Sequence, residues 1–461
     1  MSAGMLTATA SGDAARMVEE PAITDDKVEP AMSPTHLASQ AHQNQPNGGF
    51  IAWLQVAAAW VVFFNTWGVV NTFGIFQTYY ESGALFIESS SNIAWIGSIQ
   101  CLCLVSFGLV AGPFYDRGYL LALMTVGSCL VVFSFMMLSI SATFWEVLLA
   151  QGFCYGIGAG LMFAPMLAVI PGYFSTKLGL AVGVAASGSS IGGVIYPIVF
   201  YNLIDKIGFG WTVRTIGFMA LGIQLLPVFF LRMRIKPVRP RAFLDWSAFT
   251  DGPFVFFVFS LVLGFIGMYA TMFFISYFAV ATGTASNKMA FYLIPIMNAG
   301  SVFGRTIPNA ISDYTGSINC KYSYKPVLQL LMHTIVFPIA SIMCGVLTLC
   351  LMVVTNLGGV VVVALFYGFF SGLYVGLPAV SFVRLTADKS KIGTRIGMGY
   401  AFTSIAILTG GPGAGAVLGT DSTDLHWHRL WTYGGTVSLV GGTMFLALRF
   451  YLTKGKLWVK I

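Results

Sequence analysis

Apolar stretches of roughly 20 residues, the length an α-helix needs to cross a bilayer, recur along the chain from residue 50 to residue 452. They centre near residues 62, 103, 130, 157, 190, 222, 264, 300, 340, 370, 405 and 441, with short polar breaks between them. In lipid every backbone N–H and C=O has to be satisfied within the protein, which a helix does by itself. The pattern therefore predicts an all-α membrane protein of twelve transmembrane helices. The widest break, RMRIKPVRPRAFLDWSAFTDG over 232–252, divides them six and six. The expected organisation is a tail over 1–47, a first six-helix half over 48–234, a linker over 235–251, and a second six-helix half with a short end over 252–461.

Composition sharpens this reading. Of 461 residues 57% are hydrophobic and only 9% charged, against roughly 25% charged in a soluble domain. Residues 1–47 stand apart as an acidic stretch of scattered Ser, Thr, Pro and Gln without a long apolar run, the composition of a disordered tail. The tail lacks the apolar core of a signal peptide and the Arg-rich character of a mitochondrial transit peptide. The first membrane helix is then expected to act as the targeting signal, with the plasma membrane as host. Apart from Arg16 and Lys27 in the tail, only Lys206, Arg214, Lys288 and Arg429 of the 24 Lys and Arg fall on the side away from the N-terminus. Positive charge accumulates in cytoplasmic loops, so both termini are expected to be cytosolic. The net charge of +7 then reflects topology and gives no reason to invoke a nucleic-acid partner.

The chemistry that is missing narrows the function. Cys101 and Cys103 point to different sides of a helix, and no His beside them completes a metal site. Neither HExxH nor GxxxxGK[ST] occurs, so metal-assisted hydrolysis and ATP-driven pumping have no visible engine. No enzymatic activity, metal or cofactor is expected; the partners are the bilayer and a small molecule.

The two halves repeat. The second predicted helix ends GLVAGPFYDRG, with Asp116 and Arg117 between glycines, and the eighth ends GRTIPNAISDYTG, with Arg305, Asp313 and Gly316. Parallel repeats of this kind place a binding site near the midplane between halves. Asp116, Arg117, Asp313 and Arg384, the last in PAVSFVRLTADKSK, are candidates for an inner gate or latch. Gly152, Gly156 and Gly160, and Gly179, Gly183 and Ser187, recur at steps of four, the spacing that lets helix backbones approach closely in lipid.

Candidate substrate contacts lie on the polar positions. Asn298, Ser301, Arg305, Asn309 and Ser312 follow at steps of three and four, which puts them on one helix face. An arginine facing lipid costs at least about 2.5 kcal/mol at the helix centre, so this stripe should face a cavity or the other half. Rising about 1.5 Å per residue, Arg305 lies some 24 Å from Met289, below the midplane. It serves a substrate, snorkels to the inner headgroups, or forms an ionic latch with Asp313 or a neighbouring loop. Asn65, Asn71, Thr72 and Gln77 on the first helix, Ser187, Ser189 and Ser190 on the fifth, and Tyr155, Tyr269, Tyr367, Tyr374 and Tyr400 can bond a solute or stitch helices together for about 1 kcal/mol each. His333 is alone among apolar residues, a packing residue or a proton relay.

Several stretches taken together resemble the fungal relatives of monocarboxylate transporters within the major facilitator superfamily. They are NGGFIAWLQVAAAWVVFFNTWGVVNTFGIFQTYY, NIAWIGSIQ, QGFCYGIGAGLMFAP, YFSTKLGLAVGVAASGSSIGG, LIPIMNAGSVFGRTIPNAISDYTGSIN and RIGMGYAFTSIAILTGGPGAGAVLG, in order over 48–452. The resemblance implies an alternating-access secondary transporter of small organic acids, coupled to protons or acting as an exporter. Arg305 matches the family's arginine. Asn71 stands where the animal members carry a lysine, and Ser301 where they carry an aspartate. A second reading is a facilitator or efflux carrier for neutral or amphipathic metabolites, such as a vitamin or secondary product. A third is a receptor-like protein that binds without transporting.

With no apolar surface to dock, the tail should be dispensable for transport. Purified protein lacking residues 1–40 is expected to carry solute at the full-length rate in proteoliposomes; a truncated protein that is folded but inactive would contradict this.

Overall fold

The computed structural model describes residues 46–234, 242–316, 325–376, 378–386, 388, 391–419 and 424–452, with side chains omitted for 312–316, 325–336, 379–380 and 383–384. The tail over 1–45, linker residues 235–241 and the side chains of Ser312, Asp313, His333 and Arg384 thus lie outside the described residues. Among those described, regular structure is helical, without strands. The first four helices are α1 Phe50–Glu81, α2 Ser90–Asp116, α3 Leu120–Leu138 and α4 Phe144–Gly172.

The next helical stretch, Leu178–Phe230, has 53 residues. At about 1.5 Å per residue it would be roughly 80 Å long, more than twice a 30 Å hydrocarbon core. It is broken at Gly208, whose φ of 74° and ψ of 171° suit a residue without Cβ. Two helices result, α5 over 178–207 and α6 over 209–230. Their directions are opposed: Trp60 of α1 bonds Ser187 and Gly68 abuts Gly192, so α1 and α5 rise together. Asn65 and Gln55 instead reach Ala220 and Phe230, so α6 descends along α1.

The remaining helices are α7 Gly252–Ala281, α8 Asn287–Gly316, α9 Lys325–Cys350, α10 Leu357–Gly376, α11 Ile392–Leu418 and α12 Trp427–Leu452. A short helix, Pro378–Leu385, follows α10. The described residues thus hold twelve helices of spanning length, and the chain is a multi-pass integral membrane protein. Residues 46 and 452 lie on one face, called here the terminal face.

Glycine sets the packing within each half. A Cβ on Gly156 or Gly160 of α4 would lie 2.7 Å and 2.6 Å from the Gln100 and Leu104 carbonyls of α2. In the second half Gly300 and Gly304 of α8 meet the backbone of α10, the corresponding pair one repeat later. The halves meet along two seams, α5 on α8 and α2 on α11, which exchange when one half is mapped on the other. Phe73 of α1 also packs on Phe273 of α7 with ring centroids 4.8 Å apart, closing the face opposite the termini. The first span is not one smooth helix: it breaks at Thr66 and Thr72 into Phe50–Asn65, Trp67–Asn71 and Phe73–Glu81. Both threonine hydroxyls bond carbonyls four residues back, at 2.7 Å and 2.9 Å, a habit that bends helices. Tyr155 of α4 donates to the carbonyls of Asn65 and Thr66 at this break.

The α1–α5 contact gives a test of packing. A Cβ on Gly192 would sit 2.6 Å from the Phe64 carbonyl, whereas one on Gly222 would meet nothing within 4 Å. Gly192→Val is expected to cost about 1–3 kcal/mol by overpacking and to lower the thermal midpoint in detergent. Gly222→Val should leave that midpoint in place; equal losses would show that these contacts do not hold the half together.

Candidate functional site

The breaks in α1 place Trp67 and Asn71 at the wall of a small cavity between the halves. Its lining is completed by Met268, Tyr269 and Met272 of α7, Met297, Asn298, Ser301 and Arg305 of α8, and Ser371 and Val375 of α10. Its volume is about 10 Å³, room for a single water. Among the described residues that space is too small for an organic solute, and admitting one requires the halves to part.

The lining has two characters. Asn71, Asn298, Ser301, Ser371 and the Arg305 guanidinium supply hydrogen bonds, while Trp67, Met268, Met272, Met297 and Val375 supply apolar and polarizable surface. Arg305 is 4% exposed. Its Nε donates to Ser301 Oγ at 3.1 Å, and its Nη1 to the hydroxyl of Ser189 on α5. Among the described residues no carboxylate pairs with it. A hydroxyl, that of Ser301, thus touches the cation one turn before it on the same helix.

The α5–α8 seam gathers the predicted polar residues. Ser190 donates to Ser301 Oγ at 3.1 Å, and Asn71 Nδ2 reaches the Ser189 carbonyl at 3.4 Å. Gly183 and Gly193 of α5 make room for Asn309 and Asn298, since an added Cβ would lie 2.9 Å and 2.5 Å from their side chains. The other seam is weaker in polar terms: Ser106 and Ser404 are 3.5 Å apart, and Ser91 donates to the Pro412 carbonyl at 3.0 Å.

Other predicted residues lie elsewhere. Asn65 bonds Ala220, Gln224 and Tyr196 inside the first half, and Ser187 accepts from Trp60 there. Tyr374 donates to the Leu261 carbonyl and stacks on Phe337 within the second half, and Tyr367 donates to Met268. Tyr400 is half-buried beside Phe382. At the end of α2, Asp116 is buried while Arg117 is exposed over Phe114. The residues absent from the predicted site set, Trp67, Met268, Met272, Met297, Ser371 and Val375, are apolar or small and look like ordinary helix surface. The repeat was the usable signal: Trp67 and Asn71 are four apart on α1, as are Met268 and Met272 on α7, its counterpart.

A second polar cluster sits at the terminal face. Asp245 accepts from Arg395 Nε at 2.9 Å and Lys391 Nζ at 3.0 Å, and Asp251 from Arg395 Nη1 at 2.7 Å. Ser247 Oγ donates to Asp245 at 2.7 Å. These contacts pin the end of the linker and the start of α7 to α11. The Ser247 hydroxyl, with Arg395 and Lys391 beside it, holds the Asp245 carboxyl well below the usual carboxylate range.

Two six-helix bundles closing on a cavity with the Arg305 cation in its wall describe a membrane transporter. Residues 49–332 match the model of the Major Facilitator Superfamily. The chain is 52% identical over 396 residues to the MFS-type transporter dbaD of Emericella nidulans, covering 86% of this chain and 85% of that one. It is 35% identical to the aspyridones efflux protein apdF of the same fungus, over 89% and 80% of the two chains. It is 32% identical to the agnestins efflux protein AgnL12 of Paecilomyces divaricatus, over 88% of each. The chain belongs to the Major Facilitator Superfamily.

Because the Asp245 carboxyl has a lowered proton affinity in the fold, its contribution to stability is present above the unfolded-state value of about 4 and is lost as pH falls through the lower folded one. Asp245→Asn should therefore lower the thermal midpoint by a constant amount between pH 5 and pH 8, the gap to wild type narrowing only below about pH 4. A gap that already closes by pH 6 would mean that another group carries the effect.

Proposed function

We propose that the chain exports amphipathic secondary metabolites that carry one acidic group, by alternating access across the plasma membrane with both termini in the cytosol. The two-sided lining of the central cavity carries this reading: Arg305 with its hydroxyl and amide neighbours receives the acidic group, and the Trp67 and methionine wall receives the apolar body. Methionine and indole surfaces adapt to irregular shapes. A small organic acid of a few carbons would leave most of that wall unused, so the cavity favours the metabolite reading over a monocarboxylate-like one. Two relatives named as efflux proteins support the same choice. Arginine binds a carboxylate through two parallel hydrogen bonds, a fork lysine cannot reproduce.

The test is counterflow in proteoliposomes with 2-naphthoate, its uncharged analogue 2-naphthamide, and lactate. Exchange of 2-naphthoate well above both others is expected. Lactate exchange at an equal rate would return the organic-acid reading, and binding without exchange would favour a receptor. For the same probe, Arg305→Lys should lower exchange about tenfold and Arg305→Gln nearly abolish it, consistent with losing a hydrogen bond to a charged group. Unchanged affinity for 2-naphthoate in Arg305→Gln would remove Arg305 from the substrate path.

A further inference from the structure

Resting on the acidic-substrate reading above, we propose that Ser189 is the empty carrier's stand-in for the substrate's acidic group. Its hydroxyl occupies Arg305 and ties α5 to α8, and the incoming anion opens the way by taking its place. Ser189 is fully buried and Arg305 nearly so. The bond between them runs from one half of the protein to the other. It belongs to the same network as the Ser190–Ser301 bond and the contact of Asn71 with the Ser189 carbonyl. The guanidinium lies at the cavity wall, and among the described residues no carboxylate neutralises it.

Arg305 Nε keeps Ser301 of its own helix as a partner, but a guanidinium inside a membrane is costly when its remaining donors are unmet, so without the Ser189 hydroxyl the empty carrier would favour whichever open form hydrates Nη1. A neutral hydroxyl supplies a partner that lets the closed form exist. A carboxylate bonds a guanidinium roughly twice as strongly as a neutral acceptor does, so the substrate's acid displaces the hydroxyl. An aspartate at this position would not yield. Ser189 therefore acts as a positioning residue that sets the balance between closure of the empty carrier and affinity for the anion. The symmetry-related seam between α2 and α11 holds a serine–serine contact and a serine–carbonyl contact.

The test uses the full chain with Ser189→Ala and Ser189→Asp. Without ligand, the reaction of a membrane-impermeant maleimide with a cysteine placed at Val375, in a background lacking the other cysteines, reports opening of the cavity. Ser189→Ala is expected to speed that reaction about tenfold, the scale of one hydrogen bond to a charged group, and Ser189→Asp to slow it. In proteoliposomes Ser189→Ala should bind 2-naphthoate more tightly and keep exchange while net efflux, which requires the empty carrier to return, falls. Ser189→Asp should lose both. Unchanged maleimide reaction in both variants would overturn the proposal. If wild-type protein fails to exchange 2-naphthoate but the ligand-free reaction shifts as described, the substrate reading fails and the tie between Ser189 and Arg305 stands.

Discussion

A guanidinium inside a bilayer has to be hydrated or hydrogen-bonded, and Arg305 dictates much of what surrounds it. Its helix cannot turn that face to lipid without a penalty of at least about 2.5 kcal/mol. The stripe from Asn298 to Asn309 is therefore committed to the contact with α5. That contact needs small residues opposite, which Gly183, Ser189, Ser190 and Gly193 provide. One charge thus fixes the rotation of α8, the composition of α5 and the position of the cavity between the halves.

The terminal-face cluster applies the opposite solution to the same problem. There Lys391 and Arg395 meet the carboxylates of Asp245 and Asp251, and the linker end is held to α11 by full ion pairs. An ion pair fully compensated by its own partners suits a permanent attachment. A cation whose side-chain partners among the described residues are hydroxyls suits a contact that must form and break in each cycle. Among the described residues the first ties the linker end to α11 and the second joins the two halves.

The fold was largely legible because lipid imposes a strict rule: twelve apolar stretches of spanning length have few other uses. The polar lining of the candidate cavity coincides with the sequence expectation where polarity is expensive, at Arg305, Ser301, Asn298 and Asn71. It was illegible where polarity is ambiguous. Asn65 and Tyr374 carry the same polar groups as residues of the cavity, yet each spends them on carbonyls or amides of its own half, and sequence periodicity cannot say which neighbour a hydroxyl finds. Methionines such as Met268 and Met297 give no polar signal at all, and only their place in the repeat marks them.

The single-residue reversal at Gly208 has a mechanical meaning. With one residue between α5 and α6, their adjoining ends are two Cα steps apart and can separate by no more than about 7 Å. There is no slack in which α5 could slide past its neighbour. A tilt of α5 is therefore handed to α6, and through the bonds of Asn65 and Gln55 with Gln224 and Phe230 to α1. The first half has the linkage of a rigid lever, and whatever loosens its grip on α8 turns the whole bundle.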